Sequence, residues 1–130
     1  MVDTKMNISE IETHLHNLFK GVSTHTYAGT LPSTIGNDWE DMVLISCDNG
    51  VTDYDAYGKG IALLFLYARP RSNGTKNVTK MKALENAVDQ IIENQGHSGN
   101  YQVYRQRTYA DYDFSRNWHF NVVSLGLIVK

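Results

Sequence analysis

Eight consecutive apolar residues, Ile61-Ala62-Leu63-Leu64-Phe65-Leu66-Tyr67-Ala68, constrain the fold of this chain more than any other feature. On an extended backbone successive side chains point to opposite sides, so Ile61, Leu63, Phe65 and Tyr67 line one face and Ala62, Leu64, Leu66 and Ala68 the other. A strand of this kind needs cover on both faces. It is too short for a transmembrane helix, which takes about 20 residues. Helices of the same domain can cover one face. The second is left to the connecting segment 23–38 or to another subunit, and both alternatives are open from the residues alone.

The flanking segments supply the helices. Ile8, Ile11, Leu15, Leu18 and Val22 recur at three and four, the spacing of one helix face, with Asn7 and Glu10 placed as a capping box and Gly21 as a stop. Val78, Met81, Leu84, Val88, Ile91 and Ile92 repeat in the same way between Asn77 and Gly96. Residues 23–38 carry Thr, Ser, Gly, Asn and Pro32 and read as a loop holding at most a short extended piece. Residues 42–47 read as a strand, and Asp48-Asn49-Gly50 as a turn leading to a hairpin. Pro70 closes the apolar strand. Residues 101–109 and 118–129 read as a second hairpin around a polar loop at 111–117, with Val123, Leu125, Leu127 and Val129 opposite Trp118, Phe120, Val122 and Ile128. The expected fold is α+β, an antiparallel sheet of four to five strands with two helices packed on one face, in helix-strands-helix-strands order. The 130 residues are expected to form one domain.

The net charge of −2 gives no summed attraction for nucleic acid or an anionic membrane. The polar start of the chain has no apolar run of roughly 7–15 residues such as a secretory signal requires. Cys47, the single cysteine, reads as a small buried thiol in a reducing compartment.

Candidate chemistry is thin. His14 and His16, two apart on a helix, diverge by about 200° and cannot share a metal ion. Asp53 and Asp55 share one side of an extended chain, as do Asp111 and Asp113, and could pair carboxylates; an EF-hand beginning at Asp53 would need glutamate where Leu64 stands. A small hydrolase would combine Asp53, Asp55 and His119. Tyr104, Arg105, Arg107, Tyr109 and Arg116 interleave aromatics with arginines as on a nucleic-acid stacking platform, although Arg105 and Arg107 are expected on the face of Tyr101 and Val103. Charge placement says more. Asp38, Glu40, Asp41, Asp48, Asp53 and Asp55 run without a basic residue, and Arg69, Arg71, Lys76, Lys80 and Lys82 without an acidic one. Two such edges could meet head to tail between copies.

The element order, the double-sided strand after Asp53-Tyr54-Asp55-Ala56-Tyr57-Gly58, and the closing Tyr112-Asp113-Phe114-Ser115-Arg116-Asn117-Trp118-His119-Phe120-Asn121-Val122-Val123 resemble the tail completion or tail terminator proteins of long-tailed bacteriophages. The resemblance is one of length, order and texture across most of the chain. It implies a structural subunit without catalytic residues, cofactor or metal, forming a commonly sixfold ring. That ring caps the tail tube and joins it to the head connector in the virion, after assembly in the host cytoplasm. The implied partners are copies of itself, the tail tube and the connector, with no membrane, and nucleic acid only by proximity to the DNA channel. The expected subunit contacts are Asp38, Glu40, Asp41, Asp53, Asp55, Arg69, Arg71, Lys76, Lys80, Lys82 and Arg116, with loop 111–117 at an axial or lumenal contact. The alternative is a nucleic-acid-binding module using Arg105, Arg107 and Tyr109.

Overall fold

Asn7 starts the first helix by accepting the Glu10 backbone N–H on its side-chain oxygen at 2.8 Å, and α1 (Ile8–Phe19) follows. Asn77 does the same for Lys80 at 3.0 Å and opens α2 (Val78–Gln95). Both caps satisfy helix N–H groups that have no partner within the helix. The structure is a computed structural model, and it describes residues 7–47, 50, 52–53 and 57–130. The expected turn at 48–50 and the Asp53–Asp55 pairing depend on Asp48, Asn49 and Asp55, which lie outside the described residues.

Seven strands are described: β1 (Thr26–Ala28), β2 (Asp41–Ser46), β3 (Thr52–Asp53), β4 (Gly58–Ala68), β5 (His97–Ser98), β6 (Tyr101–Asp113) and β7 (Trp118–Val129). They form one sheet in the order β1-β2-β4-β7-β6-β5, with β3 paired to β4 off that path. The expected α+β class stands. The four long strands β2, β4, β7 and β6 pair antiparallel, as the two hairpins require. The sheet as a whole is mixed rather than antiparallel, because β1, the short extended piece within residues 23–38, pairs parallel to β2. Two further strands of only two residues, β3 and β5, raise the number above the expected four to five.

Both helices pack on one face. Ile11, Leu15 and Phe19 of α1 and Met81, Leu84 and Val88 of α2 bury against Val43, Ile45, Ala62, Leu64, Leu66, Val123, Leu125 and Leu127. In α1 the buried stripe ends on Phe19 rather than Val22, since the helix stops before Val22, and Ile8 is exposed. One boundary differs further along the chain. Asp111 to Asp113 belong to β6, leaving only residues 114–117 as the turn of a long hairpin. Asn117 takes φ 57° there, the left-handed backbone that asparagine tolerates better than most residues.

β6 also slips. Arg105 pairs with Leu125 but Arg107 pairs with Ser124, so Gln106 is an inserted bulge residue. The bulge returns Arg107 to the face of Ser124, opposite Arg105.

Candidate interaction surface

The sheet face away from the helices has two unlike ends. At one end residues 29–40 fold over it. Met42, Tyr67 and Trp118 are buried there, with Leu31, Ile35, Trp39, Phe65 and Phe120 packed around them. The rings form two groups. Trp39 lies 3.8 Å from His25 between ring centroids and Tyr67 lies 4.8 Å from Phe120. Arg69 fastens this cover: its Nε donates to the Trp39 carbonyl at 2.6 Å, its Nη2 donates to the Gly36 carbonyl at 3.0 Å, and its guanidinium sits 4.8 Å from the Trp118 ring centre. Each bond is charge-assisted, so the segment is tied to the sheet by more than apolar contact.

A polar group completes the covered end. Arg116 donates from Nη1 to Asp113 at 2.8 Å, and the Tyr67 hydroxyl donates to the same carboxylate at 3.5 Å. Burial pushes the Asp113 carboxyl upward, but the hydrogen bonds and charge of Arg116 outweigh it and hold the group below its ordinary value. The Tyr67 hydroxyl is pushed up to about 12, by burial first and then by the charge of Asp113.

The other end of this face has no such roof among the described residues. Leu44, Leu63 and Phe65 are only partly buried, and Ile61 is 55% exposed. The β4–β7 and β6–β7 registers extend this apolar surface sideways: Ile61 stands beside Gly126 and Tyr104, and Leu63 beside Ser124 and Arg107. Tyr109, opposite Val122, is exposed as well. Gly126 is where the Tyr104 ring lies flat on the sheet, since a Cβ at that position would come within 2.2 Å of it. Isolated exposed apolar side chains such as Val78 are ordinary; a contiguous set on one sheet face makes this end the candidate interaction surface.

The charged segments are placed differently from the expected opposing edges. β2 and β4 are neighbours, and the Arg69 backbone N–H donates to the Glu40 carbonyl at 2.9 Å, so the acidic and basic blocks meet inside one chain. Lys80 pairs with Asp41 at 2.8 Å; Asp41 also accepts from the Ser23 hydroxyl. Lys76 donates to Asn121 at 2.7 Å, and Asn121 in turn to Glu85 at 2.8 Å. Arg69, Lys76, Lys80 and Arg116 are thus engaged within the subunit. Asp38, Glu40, Arg71 and Lys82 are exposed.

The stacking trio is divided. Arg105 leans over the helix face and pairs with Asp89 of α2 at 2.8 Å, whereas the bulge sends Arg107 to the open face with Tyr109. The hydrolase trio is divided too. Asp53 is paired in the backbone with Gly58, at the start of β4, and His119 with Ala68, at its end, about 33 Å apart along the strand. His119 sits 3.3 Å from the Gly74 carbonyl through Nε2, and His16 lies 3.1 Å from that of Thr26. His14 packs against Tyr101 at 4.4 Å, and burial lowers its pKa. Cys47 is buried, as expected. Among the described residues no group of three or more His, Cys, Asp or Glu is placed to hold a metal ion, and no helix is long and apolar enough to cross a membrane.

One exposed residue at the opposite end of these strands was not singled out in the sequence. Phe114, at the tip of the β6–β7 hairpin, is 83% exposed and meets Tyr112 edge-on at 5.0 Å. Its signal was present as the single apolar residue in the polar run Asp113-Phe114-Ser115-Arg116-Asn117. No protein-family model matches the chain, and no curated protein matches it.

Proposed function

We propose that the protein is a structural, non-catalytic subunit that assembles with copies of itself into a ring at a bacteriophage head–tail junction, where it caps the tail tube and meets the head connector. One observation carries the reading: part of a sheet face, from Ile61 through Leu63 to Leu44, is apolar and has no cover among the described residues. Burying such a surface contributes roughly 25 cal/mol per Å², and a second copy is the one partner always present at matching concentration. The resemblance of element order to tail terminator proteins supplies the biological setting. Exposed Asp38, Glu40, Arg71 and Lys82 are available for contacts at the rim of such an assembly, where they set orientation more than affinity.

Sedimentation velocity combined with negative-stain electron microscopy tests this. The expected result is a closed oligomer of one size, six subunits in the simplest case, with a central opening. A monomer that persists unchanged at high protein concentration and low salt overturns it.

A further inference from the structure

The exposed aromatic and the open apolar surface sit at opposite ends of the same strands. Phe114 follows Asp113, which pairs with Trp118, whereas Leu63 pairs with Ser124; six residues of β7 separate the two rows, about 20 Å. A rigid sheet cannot fold one onto the other. The hairpin tip is an acidic knob: Asp111 lies on the same sheet face as the open surface, opposite Phe120, and has no salt bridge among the described residues. The rim of the open surface is basic. Lys59 stands two residues before Ile61 on the same face, and Arg107 lies in the row of Leu63; neither is in a salt bridge among the described residues.

We propose that the β6–β7 hairpin tip of one copy, led by Phe114, docks on the open sheet face of the next copy around Ile61 and Leu63, with Asp111 meeting Lys59 and Arg107. This rests on the self-assembly reading above and gives it a geometry. Knob and seat are different surfaces, so the contact is heterologous: each copy offers one of each, and repetition closes into a ring when the rotation allows. A face-to-face pairing of two open sheets would instead set Lys59 and Arg107 of both copies against one another at the same interface.

Two substitutions at exposed positions separate these arrangements. Phe114→Glu removes the knob and keeps the seat; Ile61→Glu spoils the seat and keeps the knob. Each variant alone is expected to sediment as a monomer. An equimolar mixture is expected to give a particle of twice the monomer mass and nothing larger, because only one intact knob and one intact seat remain. A chain carrying both Phe114→Cys and Leu63→Cys gives the second readout, a ladder of intermolecular disulfides under mild oxidation, even if Ile61→Glu folds poorly. If Phe114→Glu assembles as the wild type does, the docking is wrong while ring formation stands. A mixture that stays monomeric with no disulfide ladder likewise overturns the docking, and a wild type that never assembles removes both.

Discussion

Asp113 carries three duties in one carboxylate: it accepts from Arg116 and Tyr67 and begins the hairpin turn. Because its folded-state pKa is lowered, the stability it contributes is present above the ordinary carboxylate range and is lost as pH falls through the folded value. Asp113→Asn should therefore cost about 1 kcal/mol near neutrality and flatten the loss of stability on acidification, read from urea midpoints at a series of pH values. Tyr67 acts at the alkaline end. Its raised pKa makes a contribution that is complete below about pH 10, the ordinary tyrosine value, and is lost as pH rises through about 12. Absorbance titration should show one late-ionising tyrosine, and Tyr67→Phe should delete that last step. An unchanged late step would assign it to another of the eight tyrosines.

The covering segment 29–40 is held to the sheet by one side chain more than any other, Arg69. Both tryptophans of the chain, Trp39 and Trp118, lie in the cluster it closes. Arg69→Ala should cost about 1.5–3 kcal/mol through the charge-assisted bonds and shift tryptophan emission to the red in the folded state; emission identical to wild type would show the segment held without it. In the central strand, Leu64→Ala should cost about 2–5 kcal/mol in thermal or urea unfolding, since Leu64 is wholly buried in the helix-side core.

The same elements show what the sequence discloses. Both helix caps and the sidedness of residues 61–68 were legible because they depend on neighbours a few positions away. The parallel pairing of β1 was not, since Thr26, Tyr27 and Ala28 carry no mark of the strand they will join. The placement of Arg107 failed for a sharper reason. Strict alternation sets it beside Arg105, and a single inserted residue, Gln106, reverses it. Likewise the charge blocks were visible as blocks, but only the folded chain, which brings the first turn of α2 to the start of β2, shows that Asp41 and Lys80 pair inside the subunit.

At the scale of the whole molecule, one layer of helices and one part-covered sheet make an asymmetric body, with its helix side closed and its other side, among the described residues, covered only at one end. In the proposed assembly, surface charge tunes an association that burial drives. Raising salt should weaken assembly only modestly, because a few rim pairs of about 0–1 kcal/mol are screened while the apolar contact is not. Ile61→Glu should abolish it at any salt; sedimentation across a salt series separates the two effects.

The outer side of β6 beyond Val103 has no neighbouring strand among the described residues, yet it is not a flat template. The bulge at Gln106 breaks its hydrogen-bonding rhythm midway and sets two guanidinium groups on opposite sides of the break. Newly made copies crowded together are thereby discouraged from knitting edge to edge into fibrils.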